Sequence, residues 1–336
     1  MIDPYVLGRL AIGAVALGSF AHAAYTGART IAFFRLRQAT EGQLALERNA
    51  ELGATTAKVG AVTLVIALLS SALAADRLSP SLRGAMCGYG VVHANPWGEA
   101  SITATLLAAL FGLVGLELFA FDRRTRGLDL VRPLASFAMV GALLSGADLF
   151  FAWSWLTGLD FTVVASCCSS GVDAAEATTS IGDAGPQKLA TALALGLGLS
   201  TAAAGLALSR RPSRSLARGA GVLALLLLPA FVAATALYVA PHVFEVPHHR
   251  CPYCLLKPDA WFIGYGLFGA ALVGIASAVG LALASLLAPR SDGEPFASFA
   301  KARGARAALF VGVALSLGAF PVVRYLALSG GASLGP

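Results

Sequence analysis

Charge is what this chain has least of. Asp, Glu, Lys and Arg make up 12% of its 336 residues, about half of what a soluble protein of this length carries. So little charge excludes a water-soluble globular fold. Several cofactor signatures are missing too. No glycine-rich phosphate loop is present, which removes the usual nucleotide sites. Covalent haem attachment needs Cys-x-x-Cys-His, and Leu255 stands where that histidine would be. Paired haem ligands would need histidines at matching depth inside apolar runs, and His22 is alone at its level. No serine stands in a nucleophile elbow.

What is present is apolar residues in long blocks. Hydrophobic residues are 57% of the chain and the mean hydropathy is +0.75. The blocks fall near 4–25, 59–75, 101–121, 133–156, 188–208, 219–240, 262–287 and 307–328, each near the roughly 20 residues that span a bilayer. The pattern predicts an all-α fold, a polytopic bundle of eight transmembrane helices forming one transmembrane domain over 1–336. The first block resembles a secretory signal, with Ala21-His22-Ala23 at its end. Its leader is weak, because Asp3 offsets the lone basic Arg9, so a retained helix is expected. The 37 glycines suit helices that pack closely in lipid.

The net charge of +6 and pI near 9.3 do not indicate nucleic acid, because the basic residues sit in short connectors between apolar runs. The connectors alternate in charge. Arg29, Arg35, Arg37, Arg48 and Lys58 occupy the first, 28–58. Arg123, Arg124, Arg126 and Arg132 occupy the third, Arg210, Arg211, Arg214 and Arg218 the fifth, and Arg290, Lys301, Arg303 and Arg306 the seventh. The positive-inside rule assigns these four to the cytoplasm. Connectors 76–100, 157–187 and 241–261, with both termini, are then expected outside. Trp97, Trp153, Trp155 and Trp261 all fall at the outer ends of expected helices, where an aromatic belt belongs. Within 28–58, Thr40 and Gln43 have capping-box spacing, and QLALERNAEL reads as a short amphipathic helix on the membrane surface or as a solvated connector. An integral protein of a bacterial inner membrane, in contact with lipid, is the expected setting.

Once the topology is drawn, the five cysteines become informative. Cys87, Cys167, Cys168, Cys251 and Cys254 all lie in outer connectors, whereas packing cysteines more often sit within helices. His93, His242, His248 and His249 share that face. Two residues between Cys251 and Cys254 allow either a disulfide within one turn or capture of a soft metal. Arg250 and His248–His249 favour a thiolate there. The adjacent Cys167 and Cys168 form a disulfide only with unusual backbone geometry. They read more readily as metal ligands, or as one reactive thiol beside a packed neighbour. Glycines flank Cys87 and imply a tight turn, with His93 following in the same loop.

CPYCLL, at 251–256, resembles the active-site motif of the vitamin K epoxide reductase and DsbB group of quinone-linked thiol oxidoreductases. In this sequence Lys257-Pro258-Asp259 follows the motif, where that group's motif runs directly into its helix. The resemblance implies Cys251 and Cys254 as a quinone-proximal pair, and Cys87 with Cys167 or Cys168 as a shuttle pair exchanging with a partner thiol protein. GAMC, SCC and HRCPYCLL together are also similar to a group of cysteine-containing bacterial polytopic membrane proteins, a likeness that implies no function.

Three functions are therefore expected to compete. One is a thiol–disulfide or electron relay on the extracytoplasmic face, with Cys251, Cys254, Cys167, Cys168 and Cys87 reactive and a quinone as cofactor. A second is a soft-metal site for copper or zinc built from Cys87, His93, Cys167, Cys168, His248, His249, Cys251 and Cys254, with a metal-carrier protein as partner. The third is a non-catalytic subunit stapled by structural disulfides, which an odd number of cysteines leaves incomplete. Asp148, deep in the fourth run, is expected to pair with Arg9 or Arg324, or to relay a proton.

Overall fold

The computed structural model describes residues 3–34, 40–125, 130–162, 185–247, 249–287, 293–331 and 334. All regular elements among them are helical, and eight helices are long and apolar enough to cross a membrane. The protein is an all-α polytopic membrane protein, as the apolar blocks predict.

Helix α1 spans Pro4–Phe33. It begins where Pro4 pre-sets the first turn and the Asp3 carboxylate accepts the Tyr5 N–H at 2.8 Å. Helix α2, Glu41–Leu78, differs from expectation, because the short surface helix and the second span are one continuous element. Gln43 N–H does donate to Thr40 Oγ1 at 3.3 Å, so the predicted start is used. No proline stands between there and the span, and elongation through 38 residues needs no second nucleation. Helices α3 (Gly88–Val92), α4 (Trp97–Asp122) and α5 (Val131–Thr157) follow. Next come α6 (Gly185–Arg210) and α7 (Arg214–Ala234). Helix α7 continues through a wide π turn, Thr235–Val239, into α8 (Ala240–Phe244). Pro241 has no N–H to give residue 237, and the wide turn falls just ahead of it. Helix α9 is Ile263–Leu287, and α10 is Gly293–Leu328. Helix α10 absorbs the basic residues Lys301, Arg303 and Arg306, which the sequence pattern assigns to a connector.

These elements group into two compact units. Unit 1 comprises Met1–Arg77, Val92–Asp160 and Leu283–Phe299, and unit 2 comprises Leu78–Val91, Phe161–Ala282 and Ala300–Pro336. In unit 1, α5 packs against both α1 and α4, with Phe111 stacked on Phe137 at 3.9 Å. Its interior holds a polar knot. Arg9 and Asp148 are both 0% exposed, with Arg9 Nη2 donating to Asp148 Oδ1 at 2.6 Å. Thr105 Oγ1 lies 2.5 Å from the same oxygen, and Arg9 Nε donates to Ser71 Oγ at 2.5 Å. Asp148 therefore pairs with Arg9. Arg324 instead meets Glu245 at 3.3 Å.

In unit 2, α6 packs on α7 and meets α10 where Gly205 faces Gly304. A Cβ on Gly205 would stand 2.6 Å from the Gly304 carbonyl oxygen, so both glycines are needed for the backbones to approach this closely.

Candidate functional site: a three-thiol cluster in unit 2

Three of the five cysteines meet inside unit 2. Cys87 ends a tight stretch just before α3, and its carbonyl accepts the Gly90 N–H at 3.1 Å. Cys251 stands at the N-cap of a 3₁₀ turn, Pro252–Leu256, whose start Pro252 fixes. In a 3₁₀ turn residues three apart eclipse one another, so Cys251 and Cys254 project to the same side. A short second turn, Pro258–Ala260, leads to α9. Gly264 lets the first turn of α9 lie against the Cys-x-x-Cys turn, since a Cβ there would come within 2.9 Å of the Leu255 carbonyl.

The Cys87 and Cys251 sulfurs are 3.5 Å apart, and both residues are 1% exposed. Cys254 is half-buried, and all three sulfurs lie within 4.8 Å of one another. No disulfide joins any two of these three. Tyr89 and Tyr253 pack against them, with ring centroids 6.4 Å apart and edge to face. Lys257 Nζ donates to the Met86 carbonyl at 2.6 Å, tying the segment that carries Cys87 to the Cys-x-x-Cys turn.

The flanks are strained. Among the described residues, the non-glycine residues with left-handed backbone are Glu245, Trp261 and Phe262, with φ of 56°, 53° and 55°. They bracket this one segment. Each such residue costs of order 1–3 kcal/mol, and such strain concentrates at functional sites.

His249 lies between the first bracket and the thiols. Its ring packs on Phe244 at 4.2 Å, and its backbone N–H donates to the Val246 carbonyl at 3.1 Å. Its Nε2 is buried with no hydrogen-bond partner, an arrangement that costs about 1–3 kcal/mol. Burial holds the imidazole below its ordinary range, and the Cys87 thiol draws it part of the way back up.

The other predicted residues fall elsewhere. His93 belongs to unit 1, where its Nε2 lies 2.6 Å from Glu99 Oε1, and it is no member of the thiol cluster. His242 is buried one turn after Tyr238, whose carbonyl lies 2.6 Å from its Nδ1. Cys167, Cys168 and His248 lie outside the described residues. Sequence reasoning assigned no role to Tyr89 or Gly264, or to Tyr253 and Lys257 within and just after the Cys-x-x-Cys motif, since each acts only through its neighbours in space. It also missed a cavity of about 300 Å³ in unit 1. That cavity is lined by Thr26, Thr30, Glu47, Glu51, Asp122 and Thr125 among others, and by none of the predicted site residues.

Fold and site together define a polytopic integral membrane protein in which three cysteines from two distant segments meet in unit 2. No family model, curated protein or solved structure matches the chain.

Proposed function

We propose that the protein holds a thiophilic metal ion, copper or zinc, on Cys87, Cys251 and Cys254, at the extracytoplasmic face of a bacterial inner membrane. The observation that carries this reading is that three sulfurs from two distant segments lie within 4.8 Å of one another. Thiolates around one tetrahedral ion, with metal–sulfur bonds of about 2.3 Å, stand about 3.8 Å apart, so little movement is needed. The apolar and aromatic surroundings suit soft ligands, and among the described residues no carboxylate belongs to the cluster. The sidedness follows from the basic connectors, which leave the thiol-bearing segments on the opposite side. The site would load from, or hand on to, a metal-carrier protein there.

A thiol–disulfide relay is the second reading, favoured by the 3.5 Å contact between Cys87 and Cys251. In it, Cys251 and Cys254 would close to a disulfide, giving up two electrons and two protons that a quinone bound beside them would take up. The Cys87 thiolate then attacks Cys251 Sγ, and Cys254 leaves as the thiolate.

One preparation separates the two. The gently purified protein is divided between elemental analysis and differential alkylation with mass spectrometry, before and after mild reduction. About one copper or zinc per chain with reduced cysteines supports the metal site. A metal-free Cys251–Cys254 disulfide that opens and re-forms supports the relay. A disulfide that resists mild reduction removes both in favour of a structural staple.

A further inference from the structure

We infer that the cavity in unit 1 is a second site, which binds a small primary amine by its ammonium group. It is independent of the thiol cluster and of either reading of it. The cavity lies among α1, α2, α4 and α5. It sits at the ends of those helices that carry the basic connectors, the side the positive-inside rule assigns to the cytoplasm. That rule accounts for the Lys and Arg there and asks for no acidic residue, since Asp and Glu contribute little to orientation. Yet three carboxylates, Glu47, Glu51 and Asp122, line the cavity, and no Lys or Arg does. Two cations stand at lining residues and are already engaged. Lys58 places Nζ 5.3 Å from the centroid of the Phe119 ring, and Arg132 Nη2 donates to the Phe34 carbonyl at 2.9 Å. Among the described residues, none of the three carboxylates is in an ion pair.

The chemistry of the wall is one-sided. Thr26 and Thr30 are buried, and each hydroxyl gives its proton to its own helix. Thr26 Oγ1 donates to the Ala23 carbonyl at 3.0 Å, and Thr30 Oγ1 to the Thr26 carbonyl at 2.9 Å. Thr125 Oγ1 donates to the Asp122 carbonyl at 2.8 Å. A hydroxyl used in that way presents only acceptor lone pairs to a ligand. Every polar side chain lining the cavity is therefore an acceptor. A ligand that fits must bring donors and positive charge, and a primary ammonium brings both. A quaternary ammonium carries the charge without the N–H groups. The rest of the wall, including Ala54, Ala57, Leu134 and Ala138, is apolar and takes a hydrocarbon body. At about 300 Å³ the cavity stands at the small end of ligand pockets, roughly 300–1,000 Å³, so that body is one ring or a short chain. A single metal ion fits less well. It would need several oxygens around one point, and the three carboxylates do not form such a group among the described residues.

Tritiated phenethylamine is the probe. The full-length protein in detergent is captured on scintillation beads, so that only protein-bound label is counted. Glu51→Gln, Asp122→Asn and Thr30→Val each remove a charge or an acceptor at nearly constant shape, and Glu99→Gln is the control outside the cavity. Circular dichroism and elution volume check that each variant is folded. The expected result is saturable binding of about one amine per chain. Glu51→Gln and Asp122→Asn should each weaken it about tenfold or more, the scale of a charge-assisted hydrogen bond. Thr30→Val should weaken it several-fold, and Glu99→Gln should match the unaltered protein. On the unaltered protein, phenethyltrimethylammonium, phenethyl alcohol and phenylpropionate should each compete about tenfold or more less well than unlabelled amine. That series needs no variant, so a variant that fails to fold leaves the inference open to refutation. Binding that does not saturate, equal competition by the quaternary ion or the acid, or unchanged binding in both charge variants overturns it. Displacement by calcium in preference to the amine overturns it in favour of a metal site.

Discussion

In unit 1, Arg9 and Asp148 are buried together with Thr105 and Ser71, and the positive group is matched by the negative one at 2.6 Å. In unit 2, the buried Cys87 and Cys251 meet the half-buried Cys254, and among the described residues no carboxylate belongs to the group. Two residues before Cys251, the buried Nε2 of His249 has no hydrogen-bond partner among the described residues. The first arrangement largely answers its own burial, because each ion supplies what the other needs. The second is a set of donors all of one kind, converging on a space between them. A buried pair of opposite charge holds helices together, and a set of like donors supplies no such counter-charge to itself. Position supports the contrast. The pair sits within long regular helices, whereas the thiols sit on short turns flanked by left-handed residues.

The sharpest way to break this comparison is to remove one side of the pair. Asp148→Leu leaves Arg9 buried without its counter-charge and should destabilise by about 3–5 kcal/mol. Adding Arg9→Met should recover most of that loss. Thermal unfolding in detergent measures both, and if the double variant is no better than Asp148→Leu, the pair is not the unit assumed here. The thiols should behave oppositely. Cys87→Ser or Cys251→Ser should lower bound metal at least tenfold while moving the metal-free melting temperature little, since a similar small side chain remains. Equal losses of metal-free stability in both clusters would make the thiols structural.

Helix packing in unit 2 gives an intermediate effect. Gly205→Ala places a Cβ 2.6 Å from the Gly304 carbonyl and should cost about 1–3 kcal/mol by overpacking, read again as a melting shift. The smallest effect belongs to the exposed pair of Arg324 and Glu245. Their side chains are 36% and 49% exposed at 3.3 Å, so Glu245→Gln should change stability by less than about 1 kcal/mol. A large effect there would show that the left-handed Glu245, and not its charge, sets the entry to the thiol loop.

Parts of this arrangement are legible in the residues and parts are not. The eight apolar runs can be read directly because each must satisfy its backbone within itself to cross lipid. The continuity of α2 and α10 cannot be read so simply. Charged residues such as Lys58, Lys301 and Arg303 resemble a connector by composition, yet no proline stops the helix beneath them. The Cys-x-x-Cys pair is visible because its spacing is local. That Cys87 would join it, and that His93 would bond Glu99 instead, depends on where a segment 164 residues away comes to rest. For Asp148, the cost of burying a charge narrows the partner to a cation at similar depth, and Arg9 and Arg324 both qualify in the sequence. Packing decides between them.

What the sequence by itself determined is the class of the protein: helices in lipid, few charges, and thiols gathered in connectors of one kind. Those features follow from transfer of residues between water and hydrocarbon, which depends on composition and local order alone. Only the tertiary structure decided which thiols meet and which buried charge answers which. Contacts between distant segments are fixed by packing, and packing is a property of the whole fold.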